Sequence, residues 1–189
     1  MDLDREKYLV LKAKTDASAF GELYDEYYGK IYSYILKRTA NVVAAQDITS
    51  EVFLKALDNI KRFEWRGIHF SAWLYRIADN EINNSYMRNS RLAHLKEELE
   101  ETAKLLNISL EQEIEQAESH LSKQALFLAL HKCITQLPVK YQEVLTLKYF
   151  EKKKIKEISL ILGKREGTIK SLLHRGIKKL KTLIGDATF

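Results

Sequence analysis

The segment from Phe63 to Asn84 combines residue types that could bind unpaired nucleic-acid bases. Its first part, FEWRGIHFSAWLYR, is rich in aromatic and basic side chains, and each stack of a base on an aromatic ring contributes about 1 to 3 kcal/mol. Three asparagines follow at helical spacing, and an asparagine can both donate to and accept from a base edge. The alternative is that the aromatic residues are the core of a packed helix and that the asparagines are ordinary surface amides. The candidates are Phe63, Trp65, Arg66, Trp73, Arg76, Asn80, Asn83 and Asn84.

A second candidate site lies in the C-terminal stretch KIKEISLILGKREGTIKSLLHRGIKKLKTLI. Apolar spacing predicts two helices, Ile155 to Leu162 and about Thr168 to Leu183, joined by a turn where Gly163 allows a left-handed backbone. The small Ser159 would let the helices cross closely, which predicts a helix-turn-helix whose second helix fits the major groove of DNA. The alternative is a helical hairpin with a solvated basic face. The candidate DNA-contacting residues are Lys164, Arg165, Thr168, Lys170, Ser171, His174, Arg175, Lys178 and Lys179.

The elements that would position these residues are all helical. Asp16 is a suitable N-cap, and the apolar residues at positions 20–35 behind it keep three- and four-residue spacing. A break at 39–41 precedes a second apolar stripe at 48–60, and a further helix is predicted to start from an N-cap at Ser71. No alternating run suggests a strand, and one proline and seven glycines permit long helices. The predicted fold class is therefore all-α.

Charge and composition divide the chain into two small helical domains joined by an acidic linker. Residues 1–90 contain 13 Lys and Arg and 13 Asp and Glu, so their charges balance. Residues 91–125 contain 4 basic and 8 acidic residues and no aromatic residue, which is typical of a connector between domains. Residues 138–189 contain 13 basic and 5 acidic residues, and such a positive excess is expected of a domain that binds nucleic acid. The predicted domains are 1–90 and 124–189, the second with the helix-turn-helix, and a partly helical linker covers 91–123.

Composition also argues against several other classes of protein. No apolar run approaches the roughly 18 residues of a membrane span, and the charged N-terminus is unlike a signal peptide, so a cytoplasmic location without membrane insertion is expected. Cys133 is the single cysteine and cannot form an internal disulfide or a multi-cysteine zinc site. The five histidines are scattered, and neither HExxH nor a phosphate-binding GxxxxGK motif occurs. We therefore expect no metal, no cofactor and no catalytic residue.

Four stretches, in this order and at this spacing, make the chain recognisable: AQDITSEVFLKAL, FSAWLYRIADN, LPVKYQEVLTLKYFE and EISLILGKREGTIKSLLHRGIKKLK. With them the chain resembles the sigma-70 family of bacterial RNA polymerase sigma factors, in the short two-domain extracytoplasmic-function class. The resemblance covers nearly everything except the linker. It implies a protein, not an enzyme, that binds core RNA polymerase and directs it to promoter DNA for transcription initiation. An anti-sigma factor is a further candidate partner.

The resemblance also implies roles for individual residues. The first domain would bind polymerase and the minus-ten promoter element, with a loop at Phe63–Phe70 that captures a flipped base and asparagines that contact the promoter. The second domain would read the minus-thirty-five element, and the linker would run through the polymerase active-site cleft. The chain departs from the family at Asp79, where a basic or apolar residue is usual. Positions that match the polymerase-binding helix are Asp47, Glu51, Phe53, Leu54 and Lys55.

Two other functions stay open from the residues alone. A recombinase or nuclease with a helix-turn-helix tail would need a catalytic cluster, and no serine lies beside an obvious arginine cluster. A repressor or activator with a helical sensing domain would bind duplex DNA by itself and would not need the aromatics of FEWRG. Opening of the duplex in the presence of polymerase distinguishes a sigma factor from a simple repressor or activator.

Overall fold

The computed structural model describes residues 1–65, 69–96 and 133–186, and every regular element within these ranges is helical. The predicted all-α class is therefore confirmed. Arg66, most of the predicted linker and the start of the second predicted domain lie outside the described residues. The helical elements are α1 (Leu3–Lys12), α2 (Ala17–Thr39), α3 (Val42–Asn59), a 3-10 turn (Ile60–Arg62), α4 (Phe70–Lys96), α5 (Val139–Leu145), a π-helical segment (Thr146–Phe150), α6 (Ile155–Leu162) and α7 (Glu166–Asp186).

Residues close in the sequence determine where α2 begins and how α2 is connected to α3. Asp16 caps α2 by accepting a hydrogen bond from the Ser18 amide at 2.9 Å, which confirms its predicted role. Ala40 ends α2 in a left-handed conformation with φ 52°, and the Asn41 side chain then accepts the Ala44 amide at 2.8 Å to cap α3. The predicted break between the two apolar stripes is therefore a short connection between two helices.

The start of α4 is set by a long-range contact, and the prediction of Ser71 as its N-cap is wrong. The helix begins at Phe70, and Ser71 is buried in its first turn. The fully buried carboxylate of Glu6 on α1 accepts the Phe70 amide at 2.8 Å and the hydroxyl of Tyr27, and it lies 2.8 Å from Nδ1 of His69. A carboxylate at a helix N-terminus acts as a cap, but one that comes from α1 leaves no local signal in the sequence.

The first domain, α1 to α4, is a bundle in which α2 and α4 contribute the deepest side chains. Burial of each large aliphatic side chain stabilises the fold by about 1.5 to 3 kcal/mol, so these residues fix the orientation of both helices. α4 continues to Lys96, and residues 91–96 of the predicted linker are therefore part of this helix. The fully buried aliphatic residues on the two helices include Leu23, Ile31, Ile35, Leu74 and Ile82.

The second domain, α5 to α7, is built around the predicted helix-turn-helix formed by α6 and α7. Gly163 follows α6 with φ 62°, the left-handed conformation predicted for the turn. The hydroxyl of Ser159 donates to the carbonyl of Lys164 and ties the turn to α6. Gly176 lies within α7, and a Cβ there would stand 3.3 Å from Cδ1 of Leu145 on α5. The missing Cβ lets α7 pass close to α5, a contact that the sequence did not predict.

The two domains pack against each other where α6 contacts α4, and their buried apolar side chains form one continuous core. Two carboxylates of the second domain add polar contacts. Glu151 accepts hydrogen bonds from Nζ of Lys37 at 3.0 Å and from the hydroxyl of Tyr75 at 2.7 Å. Glu143 accepts a hydrogen bond from Nδ2 of Asn83 at 3.1 Å. The interface between the domains is therefore partly apolar and partly hydrogen-bonded.

A buried ion pair joins α2 to α4 inside the first domain. Nη1 of Arg38 lies 2.8 Å from Oδ1 of Asp79, and the hydroxyl of Tyr34 donates to the same oxygen at 2.7 Å. Burial raises the pKa of Asp79 to about 6, although Arg38 and the Tyr34 hydrogen bond oppose the shift. Nε and Nη2 of Arg38 have no hydrogen-bond partner within the described part of the chain. Asp79 is therefore the carboxylate in direct contact with the buried guanidinium.

Replacing Asp79 with alanine is expected to lower the free energy of unfolding by about 3 to 5 kcal/mol, because it leaves Arg38 buried without its carboxylate. Urea denaturation followed by circular dichroism measures the loss. The control is Glu22→Ala, which removes an exposed pair with Arg5 at 3.3 Å and should cost less than about 1 kcal/mol. Equally small losses for both variants would show that Asp79 does not compensate Arg38.

Candidate nucleic-acid interface

α7 presents a polar and basic face to solvent. Nε of Arg175 donates to the carbonyl of Ser171 at 3.3 Å, which directs the side chain back along the helix. The Nη groups of this exposed guanidinium remain able to donate to an acceptor outside the protein. Lys164 is half-buried, with Nζ 3.9 Å from Oε2 of Glu143. The other residues predicted for this surface are all exposed: Arg165, Thr168, Lys170, Ser171, His174, Arg175, Lys178 and Lys179.

A cavity of about 340 Å³ opens beside the aromatic segment and brings together three of the predicted minus-ten residues. Phe63 and Trp73 line it, with ring centroids 4.8 Å apart, and both rings contact the buried ring of Phe70. Asn80 adds an exposed amide to the lining. An aromatic wall beside an amide suits a nucleobase, which can stack on the ring and form hydrogen bonds through its edge. The remaining lining residues are Lys55, Asn59, Arg62, Ile77 and Glu81.

The three asparagines that were predicted to share one helix face have different surroundings. Asn80 lines the cavity and Asn84 is exposed. Asn83 instead donates to Glu143 of the second domain, and its Oδ1 is buried without a hydrogen-bond partner in the described ranges. The structure therefore brings one of the three amides to the aromatic segment and holds another at the interface between the domains.

Two further predicted minus-ten residues, Trp65 and Arg76, have different surroundings. Trp65 is partly buried and packs against the core of the protein. Arg76 is exposed and lines a cleft of about 440 Å³ together with Phe63, Trp73 and Leu160 of α6. This cleft lies between the two domains, because α6 supplies one of its walls.

The predicted polymerase-binding residues fall into exposed and buried groups. Asp47, Glu51 and Leu54 are exposed on α3, and Leu54 has 58% of its surface accessible. Phe53 is buried, with its ring centroid 4.7 Å from that of Tyr24 on α2. Phe53 therefore stays a predicted polymerase contact whose side chain faces the core in this structure, because one step along a helix turns a side chain by about 100°.

Lys55 and two unpredicted residues complete the description of α3. Nζ of Lys55 lies 2.6 Å from Oε2 of Glu81 on α4, at the rim of the smaller cavity. Val43 and Leu57 are exposed apolar residues on α3, and Leu57 had been assigned to the buried stripe. Together with Leu54 they leave three apolar side chains of α3 in contact with solvent. Their apolar character at outward-facing positions was the signal available in the sequence.

Comparisons with known proteins assign the two domains. Residues 23–92 match the family model described as Sigma-70 region 2, and residues 127–180 match the model described as Sigma-70, region 4. The ECF RNA polymerase sigma factor BldN of Streptomyces coelicolor is 34% identical over 98% of this chain and 68% of its own length. The ECF RNA polymerase sigma factor SigW of Bacillus subtilis is 32% identical over 98% of this chain and 100% of its own length.

A solved structure shows the same fold. The sigma factor RpoE from Bartonella quintana, in a co-crystal structure with the anti-sigma factor NepR, matches with a TM-score of 0.65. The match covers 89% of this chain and 98% of that chain at 17% sequence identity.

Regions 2 and 4 on two helical domains define a sigma-70 factor, a class of transcription initiation factor. With its likeness to BldN and SigW, the chain belongs to the extracytoplasmic-function class of RNA polymerase sigma factors. It binds core RNA polymerase and directs it to promoters for transcription initiation. None of the helices in the described ranges is long and apolar enough to cross a membrane. Those ranges also contain no group of three His, Cys, Asp or Glu side chains placed to hold a metal ion.

The neighbouring residues Phe53 and Leu54 should respond differently to truncation. Phe53→Ala is expected to lower the free energy of unfolding by about 3 to 5 kcal/mol, because it leaves a cavity beside Tyr24. Leu54→Ala should change that free energy by no more than about 0.5 kcal/mol, since most of the side chain is already in water. Urea denaturation of the two variants measures both values. A fully stable Phe53→Ala variant would show that the Phe53 side chain does not support the core.

Proposed function

We propose that the chain uses three separate surfaces to place polymerase on a promoter. α7 and its preceding turn read the minus-thirty-five element as duplex DNA. The cavity beside Phe63 traps a base of the opened minus-ten element, and the exposed face of α3 binds core polymerase. The observation that carries the proposal is the cavity, because it combines an aromatic wall with the amide of Asn80 where the aromatic segment meets α4.

Base capture in this cavity would offset part of the cost of opening the promoter. Separating a duplex costs on average about 1.4 kcal/mol per base-pair step, and one stacked base returns about 1 to 3 kcal/mol. Phe63 and Trp73 supply the stacking surface, and Asn80 supplies a donor and an acceptor for the base edge. Arg62 at the rim is suited to a phosphate of the extruded strand. The further proposed minus-ten contacts are Trp65, Arg66, Arg76, Asn83 and Asn84.

Different residues of α7 and its preceding turn contact the bases and the phosphates of the duplex. Arg175 lies one turn beyond Ser171 on the exposed face, where its guanidinium can make two hydrogen bonds to a guanine. Lys178 and Lys179 are compact point charges nearer the C-terminal end of the helix, suited to phosphates. The remaining proposed contacts of the minus-thirty-five surface are Lys164, Arg165, Thr168, Lys170 and His174.

The polymerase-binding surface is proposed for the solvent-facing side of α3. Val43, Leu54 and Leu57 provide exposed apolar area, and Asp47 and Glu51 provide acidic groups beside it. An apolar centre with a polar rim is the usual composition of a protein–protein interface. Lys55 is kept as a peripheral contact, because its ammonium is held by Glu81 of α4.

Partners and location follow from the same proposal. The structurally similar RpoE forms a complex with the anti-sigma factor NepR, and we infer that an anti-sigma protein also regulates this chain. The proposed location is the cytoplasm, where polymerase and promoter DNA are found. The chain is proposed to have no enzymatic activity of its own, because the polymerase performs the chemistry of transcription.

Asn80→Ala is expected to reduce promoter opening at least several-fold while closed promoter binding stays nearly unchanged, because the amide meets a base only after extrusion. Permanganate reactivity of promoter thymines, measured with core polymerase present, reports opening, and the chain without core should give none. The comparison variant is Asn84→Ala, the same truncation at a proposed contact one turn further along α4 and outside the cavity, and its effect should be smaller. A pre-melted template should restore part of the Asn80→Ala defect. Normal opening by this variant would exclude the cavity as the base-binding site.

Arg175→Ala is expected to cost about 1 to 3 kcal/mol in promoter binding and to relax the preference at one base position, because a guanine contact is lost. Lys178→Ala should weaken all sequences alike and make the salt dependence of binding less steep, since it removes a phosphate contact. Binding by the polymerase–sigma complex to a set of minus-thirty-five variants at several salt concentrations measures both effects. Equal, sequence-independent losses from the two variants would reject base reading by Arg175.

A further inference from the structure

We propose that Glu6 of α1 is a positioning residue for base capture, because its buried carboxylate fixes the junction between the aromatic segment and α4. The inference rests on the proposed function, which places the extruded base in the cavity beside Phe63. Glu6 lies before residues 23–92, which match the Sigma-70 region 2 model. It does not line the cavity, so it acts on the base only through other residues.

The carboxylate of Glu6 accepts hydrogen bonds from three residues while it is completely inaccessible to solvent. Its Oε1 accepts the amide of Phe70 at 2.8 Å and the hydroxyl of Tyr27. Its Oε2 lies 2.8 Å from Nδ1 of His69, and because a carboxylate oxygen only accepts, the imidazole donates from this nitrogen. One side chain therefore binds two consecutive residues at the point where the aromatic segment ends and α4 begins.

The polar character of Glu6 gives this junction a defined geometry. Burial of a carboxylate is costly unless hydrogen bonds replace its hydration. An apolar side chain at this position would avoid that cost, but it would leave the amide of Phe70 and the hydroxyl of Tyr27 without their acceptor. Apolar contacts are not directional, whereas a hydrogen bond has a preferred distance and angle. The hydrogen bonds to Glu6 therefore fix the position of Phe70 more narrowly than packing alone would.

Phe70 transmits this constraint to the wall of the cavity. The centroid of its buried ring lies 5.5 Å from that of Phe63 and 5.3 Å from that of Trp73. The ring of Tyr27, whose hydroxyl is bound by Glu6, lies 6.1 Å from the same ring. Stacking between aromatic rings depends on their separation and tilt. A displacement of Phe70 would therefore move both rings that are proposed to stack with the base.

The aromatic segment is held at its start by a local contact and at its end by a distant one. The amide of Phe63 donates to the carbonyl of Ile60 at 3.1 Å, directly after the 3-10 turn. His69 and Phe70 are instead bound by Glu6 on another helix. Because Glu6 is buried and lies outside the segment, its replacement leaves every proposed DNA contact chemically unchanged. An effect on base capture must then pass through the position of the segment.

The test compares single-strand capture with duplex binding, in the complex of the full chain with core polymerase. The probes are a single-stranded oligonucleotide with the minus-ten sequence of a transcribed promoter and a duplex with its minus-thirty-five element. Glu6→Ala is expected to lower the affinity for the single strand by about fivefold or more, which corresponds to the weaker end of one base stack. Promoter opening should fall with it. The affinity for the duplex should be unchanged, because Glu6 belongs to the first domain.

The matched control is Val10→Ala, a truncation of another fully buried residue on α1. This variant loosens the packing of α1 but removes no hydrogen bond to α4. Urea denaturation gives the stability of both variants, and binding is measured under conditions in which both are folded. Val10→Ala should bind the single strand as the wild type does. An equal loss of single-strand affinity at an equal loss of stability would show that Glu6 only supports the fold and would overturn the proposal.

Glu6→Gln tests which property of the side chain is needed. The amide oxygen of glutamine still accepts from Phe70 and Tyr27, and only the oxygen that faces His69 is replaced. Most of the single-strand affinity lost in Glu6→Ala should therefore return. A Glu6→Gln variant as defective as Glu6→Ala would show that the negative charge, rather than the hydrogen bond to Phe70, is responsible, and would overturn positioning through Phe70.

His69 provides the test if Glu6→Ala does not fold, because 48% of its side chain is exposed and its replacement leaves the core intact. His69→Leu removes the donor to Oε2 of Glu6, and we expect a loss of single-strand affinity. His69→Asn keeps an amide donor close to the position of Nδ1 and should bind more tightly than His69→Leu. Wild-type affinity in His69→Leu would show that the contact with Glu6 is not needed for capture and would overturn the proposal.

Asn80→Ala separates a failure of this inference from a failure of the proposed function. If Asn80→Ala loses single-strand affinity and Glu6→Ala does not, the cavity remains the base-binding site and the positioning role of Glu6 is wrong. If Glu6→Ala loses affinity and Asn80→Ala does not, the cavity is wrong and positioning of the aromatic segment by Glu6 remains. Unchanged affinity in both variants would overturn both.

Discussion

A single buried stripe on α4 determines how the rest of the molecule is arranged. Its members recur every four residues and are completely inaccessible to solvent. Once this stripe faces α2 and α3, the helical period directs Asn80 toward the cavity and Asn83 toward the second domain. The core, the cavity and the domain interface therefore share one helix, and a rotation of that helix would disturb all three. The residues of the stripe are Phe70, Leu74, Ala78 and Ile82.

Features that depend on neighbours in the sequence were predicted well. The bounds of α6, the left-handed turn at Gly163 and the cap at Asp16 agree with the structure, because a glycine or a capping side chain acts on residues within one turn. The exposed polar face of α7 was likewise predictable from periodicity, which separates buried from solvent-facing positions within a helix. The fold class and the position of α7 therefore followed from local rules.

Features that depend on contacts between distant residues could not be predicted. Glu6 caps α4 across 64 residues, and no local pattern distinguishes it from any other acidic residue on a helix. Asn80 and Asn83 look equivalent in the sequence, yet only the position of Glu143 in the folded chain decides that one lines a cavity while the other is engaged by the second domain. Phe53, in contrast, lies within the predicted apolar stripe at 48–60, and its burial beside Tyr24 agrees with that stripe.

The distribution of charge implies that the second domain provides long-range attraction to DNA, whereas the first domain depends on short-range contacts. Residues 138–189 hold 13 basic and 5 acidic side chains, and two of those five, Glu143 and Glu151, face the first domain rather than the solvent. These contacts leave the outer surface of the second domain strongly basic, which favours long-range attraction to DNA. Residues 1–90 are electrically balanced, so the base capture proposed for them would depend mainly on stacking and hydrogen bonds, which act only at contact. Attraction to DNA therefore acts at a distance, whereas the proposed base capture acts only at contact.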